Sequence, residues 1–383
     1  MPLITPEVEA FARIKVFGIG GSGKNALNHM INSKVRGVEF VAINTDAQDL
    51  HNALAKKKIH IGKNVTRGLG AGMNPEVGKR AVEENKEEIQ EATKGADMIF
   101  ITGGLGGGTF SGAAPSVAKT SKELGALTVA VTTKPFFFEG SQRMKIADQW
   151  LEELRKNVDA IITIPNDRLL ASITKDTSLK TAFAMSNEVL RQAVEGISDL
   201  ITTPGIINLD FADIRAILEN AGSALMGIGS ATGDKRAEEA AKIAINSPLL
   251  EVSINGAKGV LFSIAGGDDL TMFEIQEAAK IITESIDPNA KVIFGTIRDE
   301  KLKKGEIKIT VIASGFPESA SLRKSLFTGL MGGSDDDKRG KQSIPVPPIV
   351  QNTKETKPEE KKSGANEDDD WGAVPAFLRR AKK

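Results

Sequence analysis

Between Arg13 and about Ile164 the chain alternates short β-branched runs, RIKVFGI, GVEFVAIN, KKIHI, ADMIFIT, ALTVAVT and VDAIITI, with longer stretches of helical spacing. Strands joined through helices return parallel to one another, whereas tight hairpins give antiparallel pairs, so the alternation predicts an α/β fold built on a mostly parallel sheet. Turns rich in glycine, or bearing Pro and Asn, follow the carboxyl ends of these runs. Open α/β sheets bind ligands at that edge.

Beyond the alternating region, TSLKTAFAMSNEVLRQAVEGISDLIT keeps apolar residues at helical spacing from Thr177 to Thr202 and stops before Pro204-Gly205, which predicts one long central helix. Helical FADIRAILENA and DKRAEEAAKIAIN then mix with strand-like GVLFSIAG, AKVIFGTI and EIKITVIASG, as in a smaller α+β domain ending near Phe316. The expected boundaries are an extension over 1–12, a nucleotide domain over 13–176, the central helix over 177–203, the smaller domain over 204–316, a linker over 317–370 and a terminal peptide over 371–383. The linker is charged and Pro/Ser/Asn-rich with little to bury, and is expected to be disordered. Apolar residues return in the peptide WGAVPAFLRRAKK, which reads as bait for a partner.

Charge and cysteine content narrow the partners. Lys plus Arg equals Asp plus Glu at 50 each, so no basic excess marks a nucleic-acid or acidic-membrane surface. Cysteine is absent, which excludes disulfides and thiolate chemistry and fits a reducing cytosol. The start, MPLITPEVEA, lacks a signal pattern, and no apolar run approaches the roughly 20 residues of a membrane span. A cytoplasmic protein without direct membrane insertion is expected.

The loops carry the chemistry. In FGIGGSGKNA, Gly18, Gly20 and Gly23 give G-x-G-x-x-G between a strand and a helix, and Asp46 ends the next strand, the pattern of a dinucleotide-binding oxidoreductase. Gly18 to Lys24 also gives G-x-x-x-x-G-K, but Asn25 replaces the Ser or Thr hydroxyl that a P-loop puts on magnesium. A second loop, Thr102 to Gly112, also opens a helix, where unpaired N–H groups and the helix dipole favour an anion. Gly68 to Asn74, GLGAGMN, is a third. Any one could merely close a βα unit; two anion-seeking loops suit a triphosphate, and a nicotinamide fold does not call for all three.

The ordered set GIGGSGKNA, AINTDAQ, GLGAGMNPEVG, GGGTFSG, FFFEGSQR, IPNDRLL and NLDFADI resembles the tubulin/FtsZ family, in its bacterial cell-division branch. The likeness runs from about Arg13 to Phe316 and returns in the last dozen residues. It implies a GTPase that binds GTP and GDP, with Mg2+, and polymerises head to tail into the filaments of a midcell division ring. By matching position, Gly20, Gly21, Asn25, Gly72, Gly106, Gly107, Gly108, Thr109, Ser111 and Gly112 would contact the nucleotide, chiefly its phosphates. Glu139 and Arg143 would act at the ribose and phosphate side, Asn166 and Asn187 would read sugar and guanine, and Phe183 would stack on the base. Asn208, Asp210 and Asp213 would complete the next subunit's site. Simpler explanations exist for several: an i,i+4 ion pair for Glu139–Arg143, a turn for Asn166, a core position for Phe183, and helix capping for Asp210 and Asp213. His29, His51 and His60 are scattered and suggest no catalytic pattern.

The tail VPAFLRR (Val374, Pro375, Ala376, Phe377, Leu378, Arg379, Arg380) resembles the family's peptide for membrane-anchoring and regulatory division proteins, with Ala373 where the family usually has an acid. The other departure is Phe110, which stands where the signature G-G-G-T-G-[ST]-G has glycine. Inside a helix at negative φ its ring could face the core and leave the N–H donors free; if a positive φ were required, the loop would be strained and the chain could be a nucleotide-binding filament with impaired hydrolysis. The first arrangement is the expected one.

Overall fold

The structure is a computed structural model and describes residues 12–170, 177–203, 205, 207, 209–247, 254–299 and 302–316. Most of the N-terminal extension, Asn208, the linker and the terminal peptide, Ala373 included, lie outside these residues.

Ten strands among the described residues form one sheet: β1 (Ile14–Ile19), β2 (Val38–Asn44), β3 (Lys57–His60), β4 (Met98–Gly104), β5 (Leu127–Lys134), β6 (Ala160–Pro165), β7 (Gly222–Thr232), β8 (Gly259–Gly266), β9 (Lys291–Arg298) and β10 (Glu306–Ser314). Their order is β3-β2-β1-β4-β5-β6-β7-β10-β8-β9. Pairing is parallel from β3 through to β7; β10 runs antiparallel to both β7 and β8, and β9 is parallel to β8.

The apolar runs of β1, β2, β4, β5 and β6 reflect burial on both faces, since helices cover each side of a parallel sheet; β3, at the margin, buries only Ile59. Alternate residues go to opposite cores. Val16, Phe100, Val129 and Ile162 join Leu27 and Met30 of the first helix (Gly20–Asn32) and Leu190, Val194 and Ile197 of the central helix. Phe17, Ile101 and Ile161 join Phe110, Ala113 and Val117 of the helix Gly108–Glu123 on the other side. The central helix spans Leu179–Thr202, with Ser178 as its N-cap accepting from the Thr181 N–H at 3.1 Å.

One strand escaped the sequence pattern. β7 pairs with β6 over Gly222, Ser223 and Ala224, then continues as the partner of β10 from Leu225 to Thr232. It thereby makes the smaller half a continuation of the main sheet. Helices Arg236–Ile245 and Met272–Thr283 pack against that continuation around Phe262, Ile264, Ile309 and Val311.

Candidate nucleotide-binding site

The strand order reverses direction at β1. The chain leaves β1 toward β2 on one side and later inserts β4 on the other, so a crevice opens beyond their carboxyl ends. The first and second glycine loops flank it, and the loop after β3 closes its side.

Each flanking loop feeds a helix without a side-chain cap and without an acid in the first turn: Gly20–Asn32 after β1, and Gly108–Glu123 after β4. The leading N–H groups of such helices lack intrahelical partners. The loops also brace one another. Ser22 Oγ accepts from the Gly104 N–H at 2.7 Å, and a Cβ placed on Gly20 would lie only 3.4 Å from Thr109 Cβ. Thr109 Oγ1 is 2.7 Å from Thr45 Oγ1 on the loop after β2, and the Gly108 N–H donates to the Gly72 carbonyl at 2.8 Å. Gly72, at φ +58°, and Gly107 have no atom within 4 Å of where a Cβ would stand, so the space beside each is open.

Lys24 does not take the part a P-loop lysine plays. It is buried and ion-paired with Asp49. Asn25 beside it is exposed.

Four of the expected contact residues, Gly106, Gly108, Ser111 and Gly112, turn toward protein. The Gly106 and Gly108 N–H groups donate to Ser111 Oγ and to the Gly72 carbonyl. Ser111 is buried and its hydroxyl accepts from the Gly106 N–H at 3.0 Å, so it braces the loop from within. Gly112 permits a close approach of helices: a Cβ there would stand 1.8 Å from the Pro75 carbonyl oxygen of the helix Pro75–Glu84. Both serve the loop's shape and contact protein. Phe110 takes the expected arrangement. It lies within the helix, absent from the positive-φ positions, and is 2% exposed, with its ring over Gly103, where a Cβ would fall 2.2 Å from Phe110 Cδ2.

Around the rim, Glu139 and Arg143 form the i,i+4 ion pair at 2.8 Å, and Glu139 also accepts from the Phe136 N–H at 2.9 Å. The pair stands at the cradle all the same. A Cβ on Gly106 would meet the Arg143 carbonyl oxygen at 2.8 Å, and Arg143 Nε is buried with no hydrogen-bond partner. Asn166 opens a short helix (Asn166–Leu170) after β6, is buried, and accepts from Ser186 Oγ of the central helix at 2.8 Å. Phe183 is 41% exposed and sets its edge against Phe136 at 5.3 Å, so it is no core residue; Asn187, one turn on, is half-buried. Asn166, Phe183 and Asn187 thus converge where β6 meets the central helix.

Asp210 and Asp213 are elsewhere. Asp210 caps the helix Phe211–Leu218, its carboxylate accepting from the Asp213 N–H at 2.8 Å. That helix precedes β7, whose first residue pairs with the amino end of β6, so the acids stand at the edge opposite the cradle. Arg215 on it reaches the Gly125 carbonyl, just past the far end of the helix that begins in the cradle. That 16-residue helix is about 24 Å long, which sets the scale of the separation. Among the described residues no three acidic, His or Cys side chains cluster as a metal site.

Asn44 and Thr45, which tie these loops together, fall within AINTDAQ at the end of β2, whereas Asp49 stands one residue beyond it and no motif marks it.

Comparison with known proteins agrees with this geometry. Residues 13–174 match the GTPase domain of the Tubulin/FtsZ family, and residues 222–317 match the FtsZ family C-terminal domain. The chain is similar to an empty FtsZ dimer of the archaeon M. jannaschii, at 46% identity and TM-score 0.76 over 80% of this chain and 89% of that one. A mutant of the same FtsZ gives 47% identity and TM-score 0.76, over 80% and 92%. CetZ2 from Haloferax volcanii, solved as a GTPγS-bound protofilament, shares the fold at 21% identity and TM-score 0.67, over 83% and 99%. These relatives lend no support to a bacterial branch. With both of its halves matched and 46% identity to a solved FtsZ over 80% of its length, the chain belongs to the tubulin/FtsZ family of GTPases.

Proposed function

We propose that this chain binds GTP and GDP in the glycine cradle, assembles head to tail into the protofilaments of a division ring, and hydrolyses GTP where one subunit's cradle meets the next subunit's acids. This reading is supported by the helix that Asp210 opens: it leads into β7 beside the amino end of β6, and its Arg215 reaches Gly125, both at the sheet edge opposite the cradle. A surface with nucleotide and a different surface with acids make a heterologous contact, and such contacts propagate into open filaments.

Phosphates would be held by N–H groups of Gly20, Gly21, Gly107 and Thr109 and by Asn25, over the open floor at Gly72. Arg143, with its Nε unpaired, supplies positive charge at the loop's flank, and Glu139 fixes it in place. Asn166 and Asn187, with amides that both donate and accept, and Phe183, with its exposed ring, suit sugar and base. Magnesium bound with the triphosphate would offset its charge. From the next subunit, Asp213 and Asp210, with Asn208, would orient and polarise the attacking water. A nucleotide-binding filament with impaired hydrolysis was motivated by a strained Phe110, and its ring lies in the core. The dinucleotide oxidoreductase reading gives way to the GTPase-domain match.

The terminal peptide Val374–Arg380 is proposed to tether filaments to membrane-anchoring and regulatory proteins at midcell. No helix among the described residues is long and apolar enough to cross a membrane. The deciding experiment measures GTP hydrolysis per subunit against protein concentration, with filament pelleting in parallel. Activity per subunit should rise steeply with assembly; a constant value from dilute to concentrated protein refutes the shared site.

A further inference from the structure

Lys24 stands five residues into the first helix, in the place from which a P-loop lysine would reach phosphate. Its side chain instead turns to Asp49, on the short helix that follows β2, and is only 11% exposed there. Asp49 sits against the cradle. Its Oδ2 accepts from Asn44 Nδ2 at 2.8 Å and lies 3.4 Å from where a Cβ on Gly21 would stand. A carboxylate so close to an anion site opposes an anion's approach, and in a partly buried setting that repulsion is little screened. Stability alone does not call for the pair, because a buried ion pair contributes little beyond what an apolar pair of the same volume would.

We infer that Lys24 and Asp49 are positioning residues for the nucleotide: Asp49 fixes the loop after β2 through Asn44, and Lys24 cancels the charge that Asp49 would otherwise set against the phosphates. The inference rests on the reading of the cradle as the phosphate site. It assigns Lys24 an indirect role, without a phosphate contact of its own, and it fixes the sign of three substitutions. Lys24→Met leaves Asp49 unopposed and weakens binding. Asp49→Asn leaves the ammonium unopposed and strengthens it. The double variant returns toward the native value.

The test is the dissociation constant for fluorescent GTP and GDP analogues, measured in dilute protein below assembly and at two salt concentrations. For GTP, Lys24→Met should weaken binding by on the order of tenfold and Asp49→Asn should tighten it by a few-fold, with smaller changes for the less charged GDP and at high salt. Lys24→Arg should restore binding. A loop that is merely disrupted binds more weakly whichever partner is changed, so tighter binding by Asp49→Asn separates charge from packing even if Lys24→Met folds poorly. The inference is overturned if Asp49→Asn weakens GTP binding, if the double variant binds no better than Lys24→Met, or if GTP and GDP are affected equally. A native protein that binds neither nucleotide overturns the functional reading itself, which is a separate result.

Discussion

Replacing Phe110 by glycine, the residue of the family signature, removes a ring that is 2% exposed and packed among Phe17, Ile19, Ile101 and Leu105. Truncating a buried phenylalanine to alanine costs about 3–5 kcal/mol through lost transfer energy and the cavity left behind. Glycine in a helix adds about 1 kcal/mol more. The sum, about 4–6 kcal/mol, is a large share of the roughly 5–15 kcal/mol that keeps a typical domain folded. At a few degrees per kcal/mol, the melting temperature without nucleotide should fall by on the order of 10–20 °C. GTP affinity at a temperature where the variant is folded should change little, because the ring faces away from the cradle. Phe110→Leu keeps most of the volume and should lose less than half as much stability.

Gly103 supplies an internal control. A Cβ there would stand 2.2 Å from Phe110 Cδ2 and 2.9 Å from the Ile19 carbonyl oxygen, so Gly103→Ala should destabilise the native protein. Beside Phe110→Gly the ring clash is gone and only the carbonyl contact remains, which should give a coupling of about 1–3 kcal/mol between the two substitutions. Thermal melts of the two single variants and the double variant measure it. A Phe110→Gly protein that melts like the native one while binding GTP more tightly would refute this reasoning, and would mean the ring strains the loop.

Asp213→Ala should leave both stability and the affinity of isolated subunits for GTP nearly unchanged while sharply lowering turnover in assembled protein; Asp210→Ala should do the same and also lose about 1 kcal/mol in a thermal melt, because it alone caps the helix through its side chain. Either variant losing nucleotide binding as a monomer would refute the opposite-edge assignment. Glu274 is held at a pKa of about 2 by the hydrogen bonds of Arg236. Its contribution is therefore complete above about pH 4.5, where the unfolded carboxyl is also ionised, and is lost as pH falls toward 2. Glu274→Gln should cost on the order of 2 kcal/mol at pH 7 and flatten that acid limb in denaturant titrations; an unchanged acid limb would count against it. Removing residues 371–383 should spare filament pelleting and abolish co-sedimentation with partner-coated vesicles, and a truncation that no longer assembles would refute the peptide's separateness.

Strands β1, β2, β4, β5 and β6 were legible because each carries a run of apolar, largely β-branched residues buried on both faces, a demand met locally along the chain. GSALMGIGSAT was not, although it forms the eleven-residue β7. Its glycines answer to the helix Arg236–Ile245: a Cβ on Gly227 would lie 1.9 Å from the Ala244 carbonyl oxygen, and one on Gly229 would lie 2.1 Å from that of Ala240. That demand is tertiary, and locally the segment reads as a loop. In the site, motif order located the loops but not their internal division of labour. Ser111 and Gly112 share a signature with Gly107 and Thr109, and only the fold shows that their hydroxyl and bare Cα meet Gly106 and Pro75. Asp49 carries no signal of its own in the sequence, because its meaning comes from Lys24, which is distant in sequence and buried beside it.

The three-residue pairing of β7 with β6 also bears on how this protein can be taken apart. A fragment ending after the central helix would strip β7 away and leave β6, with Ile161 and Ile162, as a bare sheet margin. Unpaired margins of that kind recruit strands from other molecules. The complementary fragment would keep β7 bonded to β10 but would lack the apolar wall that Ala224 and Met226 share with the central helix. A fragment holding only the GTPase half should therefore associate through its exposed β6 edge, which the intact chain covers with a strand encoded beyond that half.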